Sequence, residues 1–153
     1  MKVKIKKLHK DSVIPKYAKN GDAGMDLTAV DCEYDSENGV FVYKTGLAFE
    51  IPEGYVGLLF PRSSIYKKSL ILSNSVGVLD SGYRGEVMFK FRNRFRYMIY
   101  CYLFKSGIYK YFYKKGDRIG QIIILPYPQI EFEEVDKLNG TERGTGGYGS
   151  TGK

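Results

Sequence analysis

The stretch LAFEIPEGYVGLLFP, residues 47–61, decides the fold class of this chain. It contains two runs of β-favouring residues, 47–51 and 55–60, which are separated by a Pro-Glu-Gly turn and stopped by Pro61. Helical periodicity is scarce, and one short helix fits around residues 64–69. Further β runs bounded by turns occur at residues 1–7, 40–43, 70–79, 86–91 and 119–125. Short strands at regular spacing predict an all-β barrel or jelly roll.

The segment Asp80-Ser81-Gly82 predicts a turn between two of these runs. Residues 70–79 precede it and residues 86–91 follow it, so we expect a β-hairpin with Asp80 at its tip. A carboxylate at such a place can orient and deprotonate a water molecule. Nearby, Gly77 permits close approach to the strand backbone, and Tyr83 offers a platform for a sugar ring. Read alone, the segment is more typical of an ordinary surface hairpin.

Composition limits the class of protein. The chain has 153 residues and a formal net charge of +7, which predicts one domain and fits either an anionic partner or a solvated basic surface. No apolar run is long enough to span a membrane, and residues 1–7 lack the apolar block of a signal peptide, so we expect an intracellular protein.

Cysteine and histidine usage limits the chemistry. Cys32 and Cys101 show no metal-ligand spacing, and we expect two free thiols. His9 is the only histidine, so neither a Ser-His-Asp or Cys-His mechanism nor a protein-liganded zinc site is expected. The chemistry must then use carboxylates, hydroxyls, Arg, Lys and backbone amides.

Arg62 follows a buried strand and is itself followed by two hydroxyl residues, Ser63 and Ser64. The planar guanidinium suits forked contact with phosphate oxygens, and successive serines can line an oxyanion. Read alone, this segment is more typical of a strand-ending turn with a surface arginine.

Polar residues also occur at the ends of two other predicted strands. Gln121 enters an apolar strand, where a buried amide needs hydrogen-bond partners. Asp117 and Arg118 precede it and can pair with each other. Asp26 follows Gly24 at the start of a strand, and we expect a structural or water-ordering role for it rather than direct catalysis.

Residues 143–153 differ from the rest of the chain, because they contain five glycines and one bulky apolar side chain. Such a tail cannot bury enough surface to offset its ordering entropy, so we expect it to be mobile when alone. Its Arg, Ser, Thr and backbone N–H donors suit phosphate oxygens. Residues 147–153 match GxxxxGK, but neither the Ser/Thr nor the helix of a Walker A loop follows, so that motif is not expected.

Five segments in this order resemble the five motifs of the trimeric dUTPase family. They are AGMDL at 23–27, PRSS at 61–64, GVLDSGYRGEV at 77–87, GDRIGQIII at 116–124 and RGTGGYGSTG at 143–152. The resemblance implies a jelly-roll-like β barrel over residues 1–142, a C-terminal lid over residues 143–153, and a homotrimer with active sites shared between subunits. It implies hydrolysis of dUTP to dUMP and pyrophosphate, which removes dUTP and supplies dUMP.

The same resemblance implies individual roles. Asp80 is the base that activates water for attack on the α-phosphorus, and Asp26 and Asp117 are supporting residues. Mg²⁺ bridges the phosphates and is held through them and through water, without a direct protein ligand. The uracil and deoxyribose contacts are Asn74, Gly77, Val78, Leu79, Tyr83 and Met88. The α- and β-phosphate contacts are Arg62, Ser63, Ser64 and Gln121, and the lid contacts are Arg143, Tyr148, Gly149, Ser150 and Thr151.

The chain departs from the family pattern in three places. Tyr148 stands where Phe is usual, and Ser64 stands where many members have Gly. The chain between Asn93 and Gly116 is longer than is usual and is rich in Tyr, Phe, Arg and Lys. We expect a hairpin insertion around residues 94–113, turning near residues 106–107. Subunit packing or an additional hairpin without a specific role is favoured over a nucleic-acid-binding surface.

Two alternative functions stay open on the sequence. A dCTP deaminase-type enzyme shares the fold and a similar RSS segment, but its catalytic glutamate aligns with Lys90, and it lacks the glycine-rich tail. A non-catalytic oligomeric nucleic-acid-binding protein would use the basic, tyrosine-rich insertion. The presence of Asp80, Arg62 and Arg143 argues against this second alternative.

Overall fold

The structure, a computed structural model, describes residues 1–94 and 111–147. In these residues it contains ten strands and one short 3₁₀ helix, as the all-β prediction requires. The strands are β1 (Lys4–Lys7), β2 (Met25–Thr28), β3 (Asp31–Asp35), β4 (Val40–Lys44), β5 (Leu47–Glu50), β6 (Tyr55–Phe60), β7 (Leu70–Leu72), β8 (Gly77–Leu79), β9 (Met88–Asn93) and β10 (Arg118–Pro126). The 3₁₀ helix, Ser63–Lys67, confirms the short helix predicted around residues 64–69.

The strands form two four-stranded antiparallel sheets and one two-stranded ribbon. The first sheet has the order β2-β10-β6-β8, and the second has the order β3-β4-β9-β7. The ribbon pairs β1 with β5. The jelly-roll-like all-β fold predicted from the sequence is confirmed.

The hydrophobic core lies between the two sheets. Phe89 and Phe91 of β9 are buried, and the core also contains Leu27 and Ile122 from the facing sheet. Alternation along β9 points these aromatic rings inward and the intervening side chains outward. Gly120 of β10 is required here, because a Cβ atom at that position would overlap the Phe89 ring.

The prediction of a β-hairpin with Asp80 at its tip is wrong. β8 belongs to the first sheet, where it pairs with β6, whereas β9 belongs to the second sheet, where it pairs with β4 and β7. The run 70–79 is also two strands, because the chain turns sharply at Ser75, which has a φ of 60°. Apolar residues alternate with a period of two in the strands of either sheet, so this pattern does not reveal the point where the chain changes sheets.

The described residues at both ends of the predicted insertion contact Ser69, which directly precedes β7. The Arg94 amide donates to the Ser69 carbonyl at 2.8 Å, and the Ser69 amide donates to the Tyr111 carbonyl at 2.9 Å. The described residues on either side of the predicted insertion are therefore close together. The predicted turn near residues 106–107 lies outside the described residues.

Candidate functional site

A pocket of about 330 Å³ opens beside β8. β8 is the last strand of its sheet in the order given above, so one side of its backbone is not paired with another described strand. The lining includes residues predicted to contact the base and sugar: Asn74, Gly77, Val78, Leu79, Asp80, Tyr83 and Met88. The structure therefore brings this predicted group together.

Gly77 and Asp80 stand at opposite ends of β8. Gly77 is buried against Leu59, and a Cβ atom on it would lie 3.0 Å from the Leu59 Cβ. Asp80 follows the strand directly and is exposed at the rim of the pocket. Its carbonyl accepts a hydrogen bond from the Tyr83 amide at 3.1 Å, which begins the turn after the strand.

Tyr83 presents an aromatic face with a fixed orientation. Its side chain is 43% exposed, and its hydroxyl donates to the Glu86 carbonyl at 3.1 Å. The ring covers Gly85, where any side chain would collide with it. The platform predicted for a sugar is thus held in place while its surface stays open.

Sequence reasoning did not assign three polar residues of the pocket lining, Ser73, Glu86 and Lys90, to nucleotide binding, and it named Lys90 only as the position of the deaminase glutamate. Glu86 is held in place because its Oε1 accepts a hydrogen bond from the Gly46 amide at 2.7 Å. Lys90 had a usable signal. Met88 was assigned to the pocket, and residues two apart on a strand share a face, so Lys90 follows from the same alternation.

A second cluster of predicted residues surrounds Asp26. Its Oδ1 accepts a hydrogen bond from Nε of Arg62 at 2.7 Å, and its Oδ2 accepts one from Nη1 of Arg118 at 2.9 Å. The side chains of Asp26 and Arg62 are each 26% exposed. Arg118 therefore pairs with Asp26, and not with Asp117 as considered from the sequence.

Ser64 and Gln121 complete the cluster around Arg62. Nη1 of Arg62 donates to Oγ of Ser64 at 3.4 Å, and Nε2 of Gln121 donates to the Pro61 carbonyl at 3.3 Å. Gly24 leaves the space that the Gln121 amide occupies, because a Cβ atom there would lie 2.6 Å from Oε1. In the strand register Gln121 faces both Asp26 and Phe60, which aligns these groups across three strands.

The pocket and the Asp26 cluster lie far apart within one chain. β2 and β8 are the opposite edges of their sheet. Asp26 is level with Phe60, whereas Leu79 pairs with Gly57, which puts Asp80 level with Val56. At the usual rise per residue and spacing between strands, this offset separates the backbones of Asp26 and Asp80 by about 20 Å. A single chain does not bring Asp80 to Arg62.

The other predicted residues lie in neither group. Oδ2 of Asp117 accepts a hydrogen bond from the Lys114 amide at 2.8 Å, so Asp117 stabilises the turn before β10. Ser63 is exposed at the start of the 3₁₀ helix. Arg143 is exposed, and its Nε donates to the Gly146 carbonyl at 2.9 Å. Four predicted lid residues lie outside the described residues: Tyr148, Gly149, Ser150 and Thr151.

Metal-ligating groups are not clustered in the described part of the chain. Within residues 1–94 and 111–147, no group of three His, Cys, Asp or Glu side chains is placed to hold a metal ion. Cys32 is a half-buried free thiol whose pKa is raised by burial, and Cys101 lies outside these residues. Across the same ranges, no helix has the length and hydrophobicity needed to cross a bilayer.

The two antiparallel sheets, with a pocket beside the edge strand β8, define the class as a jelly-roll-like β protein. The sequence profile of the dUTPase family matches residues 10–152. The chain therefore belongs to the dUTPase family, whose enzyme class is dUTP diphosphatase.

Relatives match over the whole chain. A deoxyuridine 5'-triphosphate nucleotidohydrolase of Nautilia profundicola is 38% identical, with 100% of each chain covered. One of Picosynechococcus sp. is 37% identical, with 99% of each chain covered. Among solved structures, Staphylococcus bacteriophage 80alpha dUTPase with dUPNHPP has a TM-score of 0.78 and 26% identity, covering 99% of both chains.

Proposed function

We propose that this chain hydrolyses dUTP to dUMP and pyrophosphate, with Asp80 activating the water that attacks the α-phosphorus. The observation that carries the proposal is the position of Asp80 at the rim of the pocket, directly after the edge strand β8. A carboxylate there is next to the place where the sugar and the first phosphate of a bound nucleotide would lie. It can contact the 3'-hydroxyl and accept the proton of a water molecule, which is general-base catalysis.

The edge of β8 that pairs with no other described strand explains how uracil would be selected. Backbone N–H and C=O groups along Gly77–Leu79 alternate as donors and acceptors, so a planar base can pair with them as a neighbouring strand would. The donor and acceptor pattern of uracil differs from that of cytosine, which would leave a donor unpaired. Asn74 and Met88, which line the same pocket, contact the base in this arrangement.

Tyr83 supplies selection for deoxyribose. Its ring has an open face and a hydroxyl held by the Glu86 carbonyl, so a sugar packed against it has a fixed position. A ribose 2'-hydroxyl would then press against the ring instead of reaching water. The expected substrate is a deoxynucleotide.

The phosphate contacts must come from a second copy of the chain. Arg62, Ser64 and Gln121 belong to the cluster around Asp26, about 20 Å from Asp80 in the same chain, and Ser63 lies between Arg62 and Ser64 in sequence. A triphosphate bound at Asp80 therefore reaches these donors only where two subunits meet. This geometry supports active sites shared between subunits, as in the homotrimer that the family resemblance implies.

The segment 127–138 also supports assembly. It forms no strand or helix within its own chain, and its large apolar side chains are exposed, with Phe132 at 89% and Leu138 at 81%. Exposed apolar residues in such number indicate a surface that another chain covers. The tail that follows would close over the site, where Arg143, Gly149, Ser150 and Thr151 contact the γ-phosphate and Tyr148 stacks on uracil.

The residues present fit a Mg²⁺ ion held by the substrate and by water. Both oxygens of Asp26 are occupied by arginines, and the described residues offer no cluster of three ligands. Mg²⁺ favours phosphate oxygens and retains several waters, so it does not need a protein cage. When bound, it neutralises charge that develops on the phosphates.

Product analysis with dUTP, dCTP, dTTP and UTP, measured side by side, tests the proposed function. We expect dUMP and pyrophosphate from dUTP and little turnover of the other three. Release of ammonia from dCTP would instead indicate a deaminase. Release of orthophosphate from dUTP would show attack at a different phosphorus and would contradict the proposal.

A further inference from the structure

Lys90 places a cation in the wall of the pocket. It lies on β9 between the buried residues Phe89 and Phe91, so its side chain is on the outer face together with Met88. Both side chains line the pocket. Among the ion pairs of residues 1–94 and 111–147, none involves Lys90.

Lys90 lies at the end of the pocket that is distant from Asp80. The Ser73 amide donates to the Lys90 carbonyl at 2.9 Å, which places Lys90 beside the loop that carries Asn74. This loop precedes Gly77, whereas Asp80 follows the other end of β8. A nucleoside with its sugar at Asp80 and Tyr83 therefore directs the remote edge of its base toward Asn74 and Lys90.

That remote edge distinguishes the two pyrimidines chemically. Uracil carries a carbonyl oxygen at C4, and cytosine carries an amino group there. An ammonium group has three donors and no acceptor, so it can donate to the carbonyl but cannot accept from the amino group. Positive charge at this end of the pocket therefore favours uracil.

We propose that Lys90 is a specificity-determining residue whose ammonium group donates to O4 of uracil and disfavours cytosine. This inference rests on the proposed binding of dUTP in the pocket. It adds a side-chain donor to the selection that the β8 backbone provides.

Steady-state kinetics of Lys90→Met with dUTP and dCTP test the inference. We expect KM for dUTP to rise about tenfold, the scale of one lost charge-assisted hydrogen bond, with kcat changed by less than about twofold. The ratio of kcat/KM for dUTP to that for dCTP should fall by about the same tenfold. Arg92→Met is the matched control, because Arg92 is the next outward cation on β9 and does not line the pocket; it should leave both values unchanged.

Lys90→Gln provides a second variant, because its amide can donate to O4 of uracil and can equally accept from the amino group of cytosine. KM for dUTP should therefore rise less than in Lys90→Met, while the preference for dUTP over dCTP should still fall. Thermal melting checks that all three variants fold. If wild-type protein hydrolyses dUTP and both Lys90 variants keep its preference, the role of Lys90 is overturned and the proposed function stands. If wild-type protein does not hydrolyse dUTP, the proposed function and this inference fail together.

Discussion

Nε of Arg62 donates a hydrogen bond to Oδ1 of Asp26 at 2.7 Å, and this contact orients the guanidinium. The second oxygen of Asp26 is occupied by Arg118, so the carboxylate is held from two sides. Half-burial strengthens such a pair relative to a fully exposed one. In the proposed function, Asp26 is therefore a positioning residue that fixes which N–H groups of Arg62 would contact a phosphate.

Asp26→Asn should lower kcat/KM for dUTP by about tenfold, because a neutral amide holds Arg62 less firmly than a carboxylate does. The measurement is steady-state kinetics with a range of dUTP concentrations. Asp11→Asn is the control, since Asp11 also accepts a hydrogen bond from a cation, Nζ of Lys115 at 2.6 Å, and lies in neither group of site residues. Equal effects of the two substitutions would argue against a specific role for Asp26.

Asp80→Asn should reduce turnover by about 10²–10⁴-fold, because an amide cannot accept the proton of the attacking water. Binding of a non-hydrolysable dUTP analogue, followed by calorimetry, should persist, and the oligomer should be unchanged in analytical ultracentrifugation. Near wild-type turnover in this variant would remove Asp80 from the mechanism.

Mixing of two inactive variants should restore activity. Asp80→Asn removes the general base of each site, and Arg62→Gln removes a phosphate contact. These two groups come from different chains in the proposed trimer. After co-refolding at equal amounts, random pairing gives roughly a quarter of the sites two intact halves. Activity of that order is expected when hydrolysis is compared with each variant refolded alone. A mixture as inactive as its components would place both residues in the same site of one chain.

Tyr113→Phe should stabilise the protein by about 1 kcal/mol, since its buried hydroxyl has no hydrogen-bond partner in the described residues. Burial also raises the pKa of Tyr113. Tyr43→Phe is the matched comparison, because the Tyr43 hydroxyl donates to the Tyr113 carbonyl at 3.3 Å. Loss of the Tyr43 hydroxyl should therefore destabilise the protein slightly. Urea unfolding measures both, and destabilisation by Tyr113→Phe would show that its hydroxyl has a partner.

The sequence predicts the strands well where a turn residue marks each end. The run 55–60, stopped by Pro61, is strand β6 as predicted. The strand prediction fails between Leu72 and Gly77, because the alternation of apolar residues continues while the chain passes from one sheet to the other. Which strands pair depends on contacts distant in sequence, and a local pattern does not contain them.

The candidate site is likewise predictable where a local motif marks it, and not where it depends on contacts distant in sequence. Asp80 lies in the motif at 77–87, Asn74 and Met88 lie next to that motif, and all three meet in one pocket. Lys90 has no motif of its own, and its place in the pocket depends on the register between β9 and the loop before β8. The separation of Asp80 from Arg62 likewise needs the strand order, which no single motif states.

Hydrolysis of dUTP in water enriched in oxygen-18 tests the central claim most directly, because it identifies the phosphorus that the water attacks. Mass spectrometry of the two products after a single turnover should find the label in dUMP and none in pyrophosphate. This is the expected outcome of attack at the α-phosphorus by a water bound at Asp80. Label in pyrophosphate would place the attack at the β-phosphorus and would contradict the account.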